Sequence, residues 1–179
     1  TALGVAGVRD AEVFLNCISE YDESFARTCA ARASDGGVRI RSVHAMTTQF
    51  EPQLFSQLDR QRADAMHSFR AVCRAGEIMG AKIYVFHGAL RIGTRPRKAM
   101  DYDRLAEQTK PLIACASDHG LTLAWETVHY STFDTPAFAL GMRARLPELR
   151  YTFDAKQVYF SGVDPAAYIA AIGNKLCHV

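Results

Sequence analysis

The sequence predicts a parallel α/β protein of the (β/α)8, or TIM-barrel, type. Three observations carry that reading. Apolar strand-like runs alternate with helical patterns along the chain. Glycines fall before the strands, at helix ends, and no Gly-rich phosphate fingerprint follows any strand, which counts against an open dinucleotide-binding sheet. Each apolar strand body also ends in a polar residue, as a barrel mouth requires, because its active site is assembled from the ends of several strands.

The strand-like runs are "AEVFLN" (11–16), "VRIRSVH" (38–44), "AKIYVFH" (81–87), "LTLAWETV" (121–128), "RYTFD" (150–154) and "KLCHV" (175–179). Gly36-Gly37, Gly80, Gly120 and Gly173 stand before four of them as helix stops. Between the second and third runs, Phe55, Leu58, Met66, Phe69, Val72, Cys73 and Met79 recur at near-helical spacing. Leu105, Leu112, Ile113 and Ala116 do the same before the fourth. Thr135-Pro136 and Asp164-Pro165 each offer an N-cap followed by Pro at the first helical position. The stretch 90–103 reads as a long loop, and 148–162 as a strand ending in Asp154, then Lys156, Gln157 and a turn at Ser161-Gly162. With no linker and no low-complexity segment, residues 1–179 are expected to form a single domain. The opening "TALGVAG" reads like the tail of a helix and the closing "NKLCHV" like the middle of a strand. The expectation is therefore an incomplete barrel, with about strands two to seven of eight present.

The 179 residues are 49% apolar, enough for a real core, and the formal net charge is +2. That charge suggests neither nucleic acid nor a membrane surface. No apolar run approaches the ~20 residues of a membrane span, and no charged-then-apolar leader opens the chain. Cys17, Cys29, Cys73, Cys115 and Cys177 share no metal-type spacing. They are expected to be reduced and mostly buried, as in a cytoplasmic protein.

The strand tips are Asn16, His44, His87, Glu126, Asp154 and His178. Period-two alternation puts Glu126 on the face of Ala124 and Thr122, and Asp154 on the face of Thr152. Leu121, Leu123 and Trp125 then face the surrounding helices. A lone His or Glu at a strand end is ordinarily a structural histidine or a surface acid. Two carboxylates and an imidazole converging in one mouth instead form a mixed O/N site for one divalent cation such as Mn, Mg, Co or Zn.

The motifs "VFHG" (85–88), "LAWETV" (123–128), "TFDAKQ" (152–157) and "CHV" (177–179) resemble successive strand ends of the xylose-isomerase-like TIM barrels. That superfamily includes sugar phosphate isomerases/epimerases and the AP-endonuclease family. "SVHAMTTQFEP" (42–52) with "RQRADA" (60–65) resembles the isomerase/epimerase branch. The resemblance implies Glu126, Asp154 and His178 as metal ligands, with Glu126 as the catalytic carboxylate of a pair whose partner lies on the eighth strand. It implies His44 and His87 as pocket residues, either ligands of further metals or substrate contacts. Where many members of the superfamily carry Asp-x-x-His, this chain has Asp154-Ala155-Lys156-Gln157, which counts against a multi-zinc nuclease site and assigns Lys156 and Gln157 to substrate. The implied partner is a small-molecule sugar or sugar phosphate, and a homo-oligomer is possible. Arg91, Arg95, Arg97 and Lys98 either hold a substrate phosphate or form a solvated charged loop. A metal-dependent phosphodiesterase and a non-catalytic sugar-binding barrel are the competing readings.

Overall fold

A computed structural model describes residues 2–89 and 100–179. Along the chain run α1 (Ala2–Val5), β1 (Asp10–Leu15), α2 (Glu23–Asp35), β2 (Arg39–Ala45), α3 (Thr47–Phe50), α4 (Asp59–Met79), β3 (Ile83–Phe86) and α5 (Tyr102–Asp118). They are followed by β4 (Thr122–Glu126), α6 (Pro136–Arg143), β5 (Arg150–Thr152), α7 (Ala155–Ser161), α8 (Pro165–Ile172) and β6 (Leu176–His178). Among the described residues the strands form one six-stranded sheet in the order β1-β2-β3-β4-β5-β6. Every pairing is parallel. No helix among the described residues is long and apolar enough to cross a membrane.

A flat sheet would hold β1 and β6 about 24 Å apart, at ~4.8 Å per strand. Yet Glu12 Oε2 on β1 lies 3.4 Å from His178 Nε2 on β6. The sheet therefore curls, and its inner face closes on itself as an incomplete (β/α)8 barrel. The outer face is apolar: Val43, Tyr84, Phe86, Leu121, Leu123, Trp125 and Tyr151 join the core beneath the helices. Of the expected helical positions, Phe69, Val72, Cys73 and Met79 are buried on α4 and Met66 partly so, while Leu58 is its exposed N-cap and Phe55 lies in the preceding 3-10 turn; the helix stops at Gly80 with φ +76°.

The structure adds a helix that the sequence reading treats as strand end and turn. Asp154 is the N-cap of α7, and its Oδ1 accepts the Gln157 backbone N–H at 2.9 Å. Asp at N-cap with Gln at N3 resembles a capping box, so the signal was present. The expected Pro-led helices appear as α6 and α8, and Asp164 caps α8 by accepting from Ala166 N. The cysteines depart from expectation: only Cys73 and Cys115 are buried, Cys29 is half-buried, and Cys17 and Cys177 are exposed. Cys17 sits in the turn leaving β1, and Cys177 on the edge strand β6, where little packs over them. The basic residues Arg91, Arg95, Arg97 and Lys98 lie outside the described residues.

Trp125 ties the outer core to the mouth. It is fully buried, with ring centroids 5.0 Å from Phe86 and 4.9 Å from Phe138. Its indole N–H donates to the His87 carbonyl at 3.1 Å. The chain can pass this close only because residue 88 is glycine. Gly88 has φ +76°, and a Cβ there would stand 2.2 Å from Trp125 Cζ2. Gly88→Ala is thus expected to lose about 3 kcal/mol of stability through overpacking and left-handed backbone strain. Urea denaturation reads this directly, and a midpoint equal to that of the parent protein would contradict the contact.

Candidate functional site

Three strand ends deliver the tightest group of ligand-type atoms. His44 lies near the end of β2, His87 follows β3, and Glu126 ends β4. Period-two alternation turns all three inward, while their apolar neighbours Val43, Phe86 and Trp125 pack outward. His44 Nε2 is 2.9 Å from His87 Nε2, and His87 Nε2 is 2.8 Å from Glu126 Oε2. These ligand atoms lie within 4.8 Å of one another, and no other such group occurs among the described residues. One imidazole nitrogen carries a single proton or a single lone pair. His87 Nε2 therefore cannot give a full hydrogen bond to both neighbours. A cation accepting lone pairs from the imidazoles and the carboxylate would resolve that crowding, so the donor set fits a divalent ion.

Beside this group opens a cavity of about 350 Å³, lined in part by Glu12, Glu126, Thr152, Asp154, Lys156 and His178. Glu126, Asp154 and His178 thus share one space at the C-terminal ends of β4, β5 and β6. Thr152 Oγ1, on the wall, is buried without a hydrogen-bond partner. Gln157 is not among the lining residues. Its Oε1 lies 2.6 Å from His129 Nδ1, and His129 in turn packs on Tyr130 and Phe160, with ring centroids 4.9 and 5.6 Å away. Gln157 thus belongs to an aromatic rim beside the cavity.

Two carboxylates escaped the sequence reading. Glu12 projects from the middle of β1 between two histidines. Its Oε2 accepts from Ser42 Oγ at 2.6 Å and lies 3.4 Å from His178 Nε2, and its Oε1 is 3.5 Å from His44 Nδ1. Burial acts to raise the Glu12 carboxyl, but hydrogen bonds from His178, His44 and Ser42 outweigh it and hold the group well below the usual carboxylate range. The signal for it was a charged residue flanked by the apolar Ala11 and Val13, on the face opposite Val13 and Leu15.

Glu51, in the 3-10 turn Glu51–Phe55, is fully buried behind His87. Tyr84 O–H donates to its Oε1 and the His87 backbone N–H to its Oε2, each at 3.1 Å. Burial pushes its carboxyl up to about 8, against the opposing pull of His44 and of these donors. Only the fold places an acid from this turn beneath the tip of β3. Replacing Glu51 by Ala strands the Tyr84 hydroxyl and the His87 amide in a dry interior. The expected cost is about 3 kcal/mol, with a smaller loss for Glu51→Gln, which keeps an acceptor oxygen. Equilibrium denaturation of the two variants tests this; equal, negligible losses would remove Glu51 from its supporting role.

The sequence profile of the xylose isomerase-like TIM barrels matches residues 2–179. Solved structures share the fold. A D-psicose 3-epimerase from Clostridium cellulolyticum H10, determined with D-tagatose, superposes with a TM-score of 0.79 at 14% identity, covering 98% of this chain and 63% of that one. A D-tagatose 3-epimerase-like protein gives 0.76 at 17% identity, covering 95% and 66%. A xylose isomerase domain protein from Planctomyces limnophilus gives 0.75 at 16% identity, covering 98% and 64%. The chain therefore spans about two-thirds of the length of these relatives. No curated protein sequence matches it.

Proposed function

The chain belongs to the xylose isomerase-like TIM-barrel family, and we propose on that footing that it is a divalent-metal-dependent isomerase or epimerase of a sugar or sugar phosphate. The observation that carries this reading is the one cavity that Glu126, Asp154 and His178 line together at the strand ends. The names of two of the structural neighbours, a D-psicose 3-epimerase and a D-tagatose 3-epimerase-like protein, point to the same substrate class.

In this proposal Glu126, Asp154 and His178 hold a single Mn, Mg, Co or Zn ion, a choice suited to two carboxylates and an imidazole. When bound, the ion polarises the sugar carbonyl next to the reacting C–H. Glu126 takes that proton on its carboxylate. Only 7% exposed, Glu126 works in a largely dry site, and His87 orients it through the 2.8 Å contact to Oε2. Lys156 meets hydroxyl or phosphate oxygens on the wall of the cavity, and Gln157 contacts the sugar from the rim with His129. A site that hydrogen-bonds hydroxyls discriminates strongly against analogues that lack them.

Glu126→Gln is expected to cut ketose epimerisation by about 10²–10⁴-fold, the usual share of a general base, and to weaken metal binding. Gln157→Ala should raise KM while leaving metal content unchanged. Both are read by a 3-epimerisation assay across ketohexoses and their phosphates, paired with elemental analysis. Full turnover in the Glu126 variant would end the catalytic assignment.

A second reading rests on the His44–His87–Glu126 group, which shares Glu126 with the first site. If it bound its own ion beside the first, the site would suit an AP-endonuclease-like phosphodiesterase working through several metals. Elemental analysis of the intact protein separates the two. One tightly bound ion per chain, lost in Asp154→Asn and His178→Ala, supports the epimerase; two or more ions per chain overturn the mononuclear site.

A further inference from the structure

Glu12 faces the cavity that Glu126, Asp154 and His178 line. Parallel pairing of β1 with β2 sets Glu12 opposite Ser42, and Phe14 opposite His44. Ser42 Oγ donates to Glu12 Oε2 at 2.6 Å and so holds the carboxylate in one orientation. In that orientation its two oxygens face different histidines. Oε1 lies 3.5 Å from His44 Nδ1, and Oε2 lies 3.4 Å from His178 Nε2. The His44 ring also packs edge-on against Phe14, with centroids 4.7 Å apart.

A carboxylate offers acceptors alone, and a neutral imidazole has one N–H and one lone pair. Each ring nitrogen that faces Glu12 therefore carries the proton. Ser42 gives the same answer for His178. Its hydroxyl proton is spent on Glu12, and its Oγ, 3.5 Å from His178 Nε2, has a lone pair to offer that nitrogen. The bare nitrogens are then His44 Nε2 and His178 Nδ1. His44 Nε2 is the atom that meets His87 Nε2 at 2.9 Å among the strand ends.

We propose that Glu12 is a positioning residue that fixes the tautomers of both His44 and His178, leaving lone pairs for a divalent cation on His178 Nδ1 and, toward His87, on His44 Nε2. The proposal rests on the reading of His178 as a metal ligand. A carboxylate behind a ligand imidazole holds the ring at one angle and raises the basicity of the ligating nitrogen. Here one carboxylate does so for two rings. It ties β1 to its neighbour β2 and, through the curl, to the far edge strand β6. Glu12 touches neither the reacting carbon nor the ion in this role; it acts through the histidines.

The test begins with the intact parent protein, metal-free and isotope-labelled, at mildly alkaline pH. Long-range proton–nitrogen NMR spectra distinguish a protonated ring nitrogen from a bare one. The expected proton sits on Nε2 of His178 and on Nδ1 of His44, and this reading stands even where a variant folds poorly. Glu12→Ala should let both rings exchange between tautomers. Glu12→Gln supplies one acceptor oxygen and one NH2 donor, so only one of the two histidines should keep its tautomer. Calorimetric titration with Mn²⁺ alone gives the second readout, with affinity expected to fall about 10–100-fold in Glu12→Ala and less in Glu12→Gln. A parent protein that binds no divalent ion would end the metal-dependent reading of the site, while the tautomers would still decide the role of Glu12. Parent-like Mn²⁺ affinity in Glu12→Ala, or a parent His178 protonated on Nδ1, would overturn the proposal.

Discussion

The curl of the parallel sheet is the constraint on which the rest of the structure depends. Alternation along each strand sends one side chain in two toward the inner face, but in a flat sheet those inward groups would stand in separate rows. Curvature brings them into one space, so that Glu12 of β1 meets both His44 of β2 and His178 of β6. The helices enforce the curl from outside. Phe69, Phe86, Trp125, Phe138 and Tyr151 fill the layer between sheet and helices with large side chains that leave little freedom to flatten.

Buried polar groups carry a desolvation cost, and the chain meets it by linking them. The Tyr84 hydroxyl and the His87 amide find the buried Glu51, His87 and Glu126 find each other, and Glu12 collects Ser42, His44 and His178. Such networks hold side-chain orientation more firmly than single pairs, because each member limits the rotamers of the next. Thr152 Oγ1 is left without a partner on the cavity wall.

The strand tips were legible because their signal is local. An apolar run that stops at His44, His87, Glu126, Asp154 or His178 shows in the sequence alone. Inward placement then follows from the alternation with Ala124 and Thr152. Glu12 was less visible, since one charge inside a strand is also the mark of an edge strand facing water. Glu51 carried no local signal at all: a Glu-Pro pair in a turn reads as surface, and only the approach of that turn to β3 buries it. The short α7 hid for a related reason, because its seven residues follow the strand with only Phe153 and Asp154 between.

Composition, periodicity and glycine placement by themselves determined the parallel α/β architecture, the order of its units and the polar character of the strand ends, because these are properties of neighbouring residues. Which of those ends meet was decided by the tertiary structure alone. The pairing of His87 with both His44 and Glu126 and the place of Glu12 between two histidines each join residues at least 30 positions apart. Distances of that kind depend on sheet curvature and helix packing, which sum over the whole chain and leave no trace in any short stretch of it.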